Sequence, residues 1–225
     1  MIQHIKKYLK VVIKQWQTEL QTKKFNLTIL FSIISVLPLL LYLNRFLEYI
    51  EMRPGCNLDD AVLNWLPAAD LSNLIFFILY TCAFILIIHC LKSPWLLIKG
   101  LHVLIVLQYI RNICLYVTPL NAPDNIYALQ DPVLETIAYS DKANLKDLFF
   151  SGHTATIFIF MLLTWNSPGL RLIFGFMTLF MAILLLIQHC HYTVDIIGGV
   201  AFAYLSFKWV AWLWMKIQLP LHKEF

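Results

Sequence analysis

The most constraining feature of the chain is a series of apolar runs, most of them long enough to cross a membrane. A helix needs about 20 residues to cross a hydrocarbon layer of about 30 Å. The chain has 225 residues, of which 60% are hydrophobic and only 13% are charged, unlike a soluble domain of this length. We therefore predict an all-α, polytopic six-helix membrane bundle. The predicted spans are 25–43, 71–91, 95–120, 154–165, 170–188 and 193–215. The fourth is short, and we expect residues 148–150 or those up to Pro168 to lengthen it.

The distribution of basic residues predicts how the bundle is oriented. Six lysines precede the first predicted span, and the positive-inside rule places such residues in the cytoplasm. Further basic residues fall on the same side, namely Lys92, Arg171, Lys216 and Lys223. Both termini are therefore predicted to be cytoplasmic, and the loops 44–70 and 121–150 to lie on the outer side, periplasmic or lumenal. We expect a bacterial inner membrane, with a Golgi-type membrane as the alternative.

Residues 1–24 differ from the rest of the chain in their pattern. Apolar residues recur there at helical spacing and lysines occupy the other face, which is typical of a helix lying on an anionic membrane surface. We therefore predict an amphipathic interfacial helix on the cytoplasmic face over 1–24. A single membrane domain over 25–215 and a short cytoplasmic tail over 216–225 complete the predicted organisation.

Two short motifs carry ionisable residues that an apolar bundle does not need for packing. The first, DLFFSGHT, enters the fourth predicted span, and the second, HCHYTVD, enters the sixth. One inward and one outward crossing separate them, so both motifs return to the outer face and each opens a helix there. The polar residues are Asp147, Ser151, His153 and Thr154 in the first motif, and His189, His191, Tyr192 and Asp195 in the second.

The two helix starts predict a receptor for an anionic phosphate. Helix N-termini present unpaired N–H groups and partial positive charge, and Ser151 and Thr154 could serve there as caps or as phosphate donors. His191 and Asp195 are four residues apart, so a helix brings them within hydrogen-bond reach. The carboxylate would fix the imidazole tautomer and leave the other ring nitrogen as a nucleophile. Protonated His153 could then protonate a departing alkoxide. This pattern predicts phosphoryl transfer through a phosphohistidine, with no metal and no cofactor.

Other chemistries of the same residues remain open. His189 and His191 could hold zinc with a third ligand, although His-Cys-His at a helix entry lacks the usual spacing of zinc sites. A non-enzymatic lipid carrier or scramblase could bind a phospholipid without reacting with it. The strongest alternative is a lipid phosphatase, in which water takes the place of a lipid acceptor.

The two motifs resemble those of a known family. Asp-x3-Ser-Gly-His-Thr followed by His-Tyr-Thr-x-Asp-Ile is similar to the signature of the sphingomyelin synthase family, a branch of the type 2 phosphatidic acid phosphatase superfamily. The resemblance implies a six-helix membrane fold of that kind. It also implies a catalytic triad of His153, His191 and Asp195, and Asp147 matches the acidic residue that precedes the first motif.

The resemblance is weaker toward the N-terminus, and the chain also departs from the family. Arg111 and Thr118 resemble the family's Arg-x6-Thr element, and Asp70 ends a loose version of its Pro-rich acidic element. Leu145 and Lys146 replace the family's Cys-Gly, which leaves the headgroup open. The basic phosphate clamps of ordinary type 2 phosphatases are missing from the sequence, and this absence favours the synthase branch.

The family resemblance implies a specific reaction. A phospho-headgroup would be taken from a glycerophospholipid such as phosphatidylcholine and passed to ceramide or a similar lipid alcohol, with release of diacylglycerol. The alternative is a type 2 phosphatidic acid phosphatase-like phosphatase or phospholipase C with water as acceptor. The expected partners are these lipids and the membrane, and nucleic acid is not among them.

Tyr192 and Arg111 are predicted to support the site or to bind substrate. A charge inside an apolar span is costly and usually faces a polar partner. We therefore expect Arg111 to contact either a lipid phosphate or a structural partner, which would be Asp147, Glu135 or Asp195.

Cysteines and histidines outside the motifs have structural interpretations. Cys56 and Cys190 fall on the outer side and could form a disulfide in an oxidising compartment. His89 and His102 fall toward the inner ends of the second and third spans, away from both motifs. We expect these two histidines to be buried and hydrogen-bonded rather than catalytic.

Overall fold

The computed structural model describes residues 2–131 and 144–220, with the side chains of 2–5 and 7 excepted. Within these ranges the chain forms α-helices, one 3₁₀ turn at Leu63–Trp65 and no strand. The helices are α1 (Ile2–Leu20), α2 (Lys23–Met52), α3 (Ser72–Cys90), α4 (Pro94–Val117), α5 (Gly152–Leu163), α6 (Pro168–Ile187) and α7 (Thr193–Lys216).

Five of the helices, α2, α3, α4, α6 and α7, are long and apolar enough to cross a membrane. The fourth predicted span corresponds to α5, which has only 12 residues and a length of about 18 Å. Residues 148–150 do not lengthen α5, because Ser151 adopts an extended backbone and caps the helix there. The residues up to Pro168 do not lengthen α5 either, because the helix ends at Leu163 and Pro168 begins α6. The predicted count of six spans is therefore not confirmed.

The short helix α5 lies at the centre of the bundle. It packs mainly against α6 and α7 and also contacts α3 and α4. Ala155, Ile157 and Ile159 are fully buried, which agrees with the apolar character of α5 around its whole circumference. By contrast, α2 lies at the edge of the bundle and leaves most of its apolar side chains exposed, as a helix facing lipid does.

The N-terminal helix α1 docks against the turn between α3 and α4. The indole N–H of Trp16 donates to the carbonyl of Leu91 over 2.9 Å, and Glu19 accepts from the indole of Trp95 over 2.7 Å. Val12 is buried, whereas Ile13 is exposed. That α1 lies along a membrane surface stays a prediction. The predicted tail over 216–225 extends beyond the described residues, which end at 220.

A buried hydrogen-bond chain joins three helices near this end of the bundle. The indole of Trp214 donates to Nδ1 of His102 over 3.1 Å, and Nε2 of His102 lies 2.8 Å from the hydroxyl of Ser32. Nδ1 must accept, so the proton of the neutral ring is on Nε2. The structural interpretation of His102 is thereby confirmed.

The opposite end of the bundle carries both sequence motifs, and we call it the motif face. The loop 53–71, the segment 118–131 and the connection 188–192 also lie there. The loop and the segment pair with each other, because the Cys56 N–H donates to the carbonyl of Pro119 and the Asn121 N–H donates to that of Cys56, both over 2.9 Å. All five cysteines are free, and Cys190 is buried. The suggested disulfide between Cys56 and Cys190 is therefore not formed.

Asp60 ties the loop 53–71 to the start of α7. Its carboxylate accepts from the backbone N–H of Thr193 over 2.6 Å and from the Thr193 hydroxyl over 3.0 Å. Partial burial opposes ionisation, but the hydrogen bonds outweigh it and hold the pKa of Asp60 below its usual value. A negative charge at this position also compensates the partial positive charge of the helix N-terminus.

Replacing Asp60 should weaken this attachment. For Asp60→Asn we expect the free energy of unfolding to fall by about 1 kcal/mol and the Tm by roughly 2–4 °C. The reason is that a charged acceptor becomes a neutral one at a partly exposed position. Since the folded pKa is lowered, the stabilisation is present above the unfolded pKa of about 3.9 and disappears as the pH falls through the folded value. Thermal unfolding in detergent at pH 7 and at low pH measures both effects.

Asp59→Asn is the matched control, because it removes the same charge from the neighbouring, exposed position. A Tm for Asp60→Asn equal to that of Asp59→Asn at pH 7 would contradict the anchoring role.

Candidate active site

The structure places the two sequence motifs side by side. The N–H of Ser151, just before α5, donates to the carbonyl of Asp195 in the first turn of α7 over 3.0 Å. The helices approach this closely because Gly199 has no side chain: a Cβ there would lie 2.7 Å from the carbonyl oxygen of Ser151. The N-termini of α5 and α7 therefore open onto the same region of the motif face.

His191 and Asp195 form a buried pair at the start of α7. Nδ1 of His191 lies 3.3 Å from Oδ2 of Asp195, and the same oxygen accepts from the N–H of Tyr192 over 2.9 Å. Both side chains of the pair are almost completely buried. With Nδ1 directed at the carboxylate, Nε2 of His191 is the ring nitrogen left for a substrate.

His153 lies in the first turn of α5 and is partly exposed. Its ring is edge-on to Phe76 of α3, with 5.5 Å between the ring centroids. The charged or titratable groups that interact with it electrostatically are His191, Arg111, Asp147 and Asp131. His153 therefore lies within electrostatic range of His191.

Ser151 and Thr154 are fully buried and take the capping geometry. The hydroxyl of Ser151 accepts from the N–H of Thr154 over 3.4 Å and donates to its hydroxyl over 3.2 Å. The Ser151 N–H already donates to the carbonyl of Asp195, and the Thr154 N–H donates to the Ser151 hydroxyl. An anion at the start of α5 would therefore meet the N–H groups of Gly152 and His153. These are the first two of the helix, which have no intrahelical acceptor.

Arg111 of α4 pairs with Asp147, one of its predicted structural partners. The Nη2 atom lies 2.9 Å from Oδ1 of Asp147, and Nε donates to the carbonyl of Phe150 over 2.9 Å. Gly152 leaves room for the guanidinium, since a Cβ there would lie 3.3 Å from its Nε. Arg111 thus fixes the segment that leads into α5. Of the other two predicted partners, Asp195 pairs with His191 instead, and Glu135 lies outside the described residues.

Leu145 and Lys146, just before the first motif, are held by α2. The carboxylate of Glu51 accepts from the N–H groups of Leu145 and Lys146 over 2.9 and 3.0 Å. The ammonium of Lys146 donates to the carbonyl of Arg53 over 2.7 Å. This lysine therefore faces the end of α2, and its contacts fasten the chain just before the first motif.

Sequence reasoning missed Gln188, a fully buried side chain between α6 and α7. Its Oε1 accepts from the N–H of Leu71 over 2.5 Å, and its Nε2 donates to the hydroxyl of Ser72 over 2.7 Å and to Asp70 over 3.3 Å. Asp70 accepts from the N–H and from the hydroxyl of Ser72, the first residue of α3, and these hydrogen bonds lower the pKa of Asp70. A polar residue at the end of an apolar run was the available signal.

The zinc alternative loses a ligand in this arrangement. Both ring nitrogens of His189 lie 3.1 Å from backbone carbonyl oxygens, those of Asp124 and Leu66, and so face away from a shared ligand with His191. Over 2–131 and 144–220, no group of three His, Cys, Asp or Glu side chains is placed to hold a metal ion.

Gly199 provides a direct test of the contact between α5 and α7. In Gly199→Ala the new Cβ meets backbone atoms that cannot move independently. We therefore expect the free energy of unfolding to fall by about 1–3 kcal/mol and the activity to be lost. Gly169→Ala is the control, since a Cβ there meets nothing within 4 Å. Thermal unfolding of both variants measures the difference, and equal Tm values would contradict the close approach.

Comparison with known proteins identifies one family in the second half of the chain. Residues 146–213, which contain both motifs, match the family described as PAP2 superfamily C-terminal. No curated protein and no solved structure matches the chain significantly. The matched segment begins one residue before Asp147 and ends within α7, so the family similarity coincides with the candidate site and the helices that build it.

Proposed function

We propose that the protein is a membrane lipid phosphotransferase that works through a phosphohistidine. The observation that carries the proposal is the contact of the α5 and α7 N-termini, which places the start of α5 beside the His191 and Asp195 pair. Oriented imidazole, a second histidine and an anion-binding surface are what transfer of a phosphate group requires. The match of this segment to the PAP2 superfamily supports phosphatase or phosphotransferase chemistry in general.

In the first step, Nε2 of His191 attacks the phosphorus of a glycerophospholipid. A P–N bond forms while the bond between phosphorus and the glycerol oxygen breaks. Protonated His153 gives its proton to that oxygen, so diacylglycerol leaves as a neutral alcohol. The cation that develops on His191 is stabilised by Asp195, whose oxygen lies 3.3 Å from Nδ1.

In the second step, His153 acts in its neutral form. It removes the proton from the hydroxyl of ceramide or a similar lipid alcohol, whose oxygen then attacks phosphorus. A new P–O bond forms, the P–N bond breaks, and His191 returns to its starting state. His153 is again protonated, so the cycle needs no further proton donor. Water in place of the lipid alcohol would make the same site a phosphatase or phospholipase C.

The charge of the site favours a phosphodiester substrate over a phosphomonoester. A monoester such as phosphatidic acid carries close to two negative charges at neutral pH, whereas a diester carries one. Among the described residues near the site, Arg111 is paired with Asp147 and Lys146 donates to a carbonyl, so neither is a free clamp. Two histidines and helix N-termini suit the single charge of a diester, which supports the sphingomyelin synthase-like reaction.

The location of the site is part of the proposal. We place both termini in the cytoplasm and the motif face toward the periplasm or a lumen, in a bacterial inner membrane or a Golgi-type membrane. The basis is the lysine-rich N-terminal region, which lies at the opposite end of the bundle from the motifs.

Lipid mass spectrometry of the purified protein tests the reaction. In mixed phospholipid micelles with ceramide, we expect a phospho-ceramide product and diacylglycerol in equal amounts, with the headgroup read from the product mass. His191→Asn should abolish both products, because an Asn amide can still donate to Asp195 but provides no nucleophile. Asp195→Asn should lower the rate roughly 10³–10⁴-fold, since the imidazole loses its orienting carboxylate.

The other outcomes distinguish the alternatives. Diacylglycerol without a phospho-ceramide would assign the site to the hydrolases. Activity on phosphatidic acid alone would contradict the charge argument. Absence of turnover in wild type, with phospholipid binding unchanged in His191→Asn, would favour the lipid carrier.

A further inference from the structure

A groove runs along the outward surface of α3, next to the candidate site. It has a volume of about 510 Å³ and is lined by one side of the helix, namely by Asn73, Phe76, Phe77, Tyr80, Thr81 and Phe84. Four of these six residues are aromatic. Phe77 and Phe84 are 68% and 64% exposed, so the groove opens toward the surroundings of the bundle. We call it the α3 groove.

Phe76 connects the α3 groove to His153. Phe76 is buried, and its ring meets the imidazole edge-on, with 5.5 Å between the ring centroids. The same ring stacks on that of Tyr80, with 6.0 Å between the centroids. The Tyr80 hydroxyl donates to the carboxylate of Asp131 over 2.7 and 2.8 Å, which leaves the Tyr80 ring as an apolar wall. A molecule that lies in the groove therefore reaches the histidine of the first motif.

The length of the α3 groove matches one leaflet of a membrane. From Asn73 to Phe84 the helix rises about 16 Å, and half of a hydrocarbon layer of about 30 Å is about 15 Å. Asn73 lies in the first turn of α3, at the motif face, and Phe84 lies past the middle of the helix. The groove thus has a polar end at the motif face and an aromatic wall at the depth of lipid chains, which is the order of parts in a lipid alcohol.

The proposed reaction places a lipid alcohol on the His153 side of phosphorus. Attacking and leaving atoms lie roughly in line across phosphorus, so the glycerol oxygen leaves opposite Nε2 of His191, beside the group that protonates it. In the second step the acceptor oxygen enters opposite the P–N bond, at the same place. Diacylglycerol and the acceptor therefore occupy one subsite in turn, and the α3 groove begins there.

We propose that the α3 groove binds the hydrocarbon chain of the lipid alcohol, first within the glycerophospholipid and then within ceramide or a similar acceptor. Clefts of this volume with hydrophobic and aromatic walls are typical of ligand sites. The inference rests on the proposed function for the order of the two alcohols, whereas binding of a chain needs no turnover. Since the two alcohols use one groove, diacylglycerol competes with ceramide.

Photo-crosslinking of the full chain in nanodiscs tests the occupant. The probes are two ceramides that carry a diazirine in one chain or the other, and peptide mass spectrometry locates the adducts. With one of the two probes we expect adducts at Phe77, Thr81 and Phe84, reduced several-fold by an excess of unlabelled diacylglycerol. Adducts on α2, which also faces lipid, should not be reduced.

Two results of this experiment would overturn the proposal. Adducts that both probes spread equally over α2, α3 and α6 would show only bulk lipid, because bulk lipid meets all exposed helices alike. Adducts in the α3 groove that diacylglycerol does not reduce would contradict a subsite shared by the two alcohols.

Thr81→Trp fills the α3 groove from an exposed position and leaves the core undisturbed. Displacing about two methylenes from apolar contact should weaken chain binding roughly tenfold, which appears as fewer adducts and as a higher KM for ceramide. Ile87→Trp is the matched control, since it adds the same ring to an exposed position of α3 outside the groove. We expect no change in Ile87→Trp, and equal values in the two variants would contradict the proposal.

The two measurements separate this inference from the proposed reaction. Adducts in the α3 groove without turnover in wild type would contradict the phosphotransferase and retain the chain-binding site. Turnover with an unchanged KM for ceramide in Thr81→Trp would contradict the site and retain the reaction.

Discussion

The arrangement depends on one backbone contact, the hydrogen bond from the Ser151 N–H to the carbonyl of Asp195 between the starts of α5 and α7. Gly199 makes the contact sterically possible. It brings the positive ends of two helix dipoles together and places His153 in the same environment as His191. The chemistry we propose follows from this juxtaposition, because neither helix alone offers a nucleophile, an acid and an anion-binding surface.

The half-length of α5 explains how polar chemistry is accommodated in an apolar bundle. A helix of about 18 Å leaves part of the bilayer thickness to the segment before Ser151. Unpaired polar groups are costly at such depth, and the pair of Arg111 with Asp147 neutralises the charge there. Gln188 and His189 likewise form hydrogen bonds with backbone groups of the loop 53–71 and the segment 118–131 that no helix or strand pairs.

The sequence was sufficient to locate the long helices and the motif residues, because both leave a local signal. Long apolar runs marked α2, α3, α4, α6 and α7, and two motifs in order marked the site. The short fourth span was also predicted, at 154–165. The expected lengthening over residues 148–150 was wrong, because these residues are as apolar as the helix and only the Ser151 cap marks where the helix begins. The partner of Arg111 and the roles of Gln188 and His189 depend on contacts between distant loops, for which spacing gives no information.

The most direct test of the central claim is to trap the phosphohistidine. A phosphodiester donor with a p-nitrophenolate leaving group needs no acid, so in His153→Gln the first step should proceed while the second, which needs a base, should stall. Intact-mass and peptide mass spectrometry should then find one acid-labile phospho-headgroup per chain, on His191, together with one equivalent of p-nitrophenol. Release of p-nitrophenol without an adduct, an adduct at another residue, or an adduct that persists in His191→Asn would contradict the account.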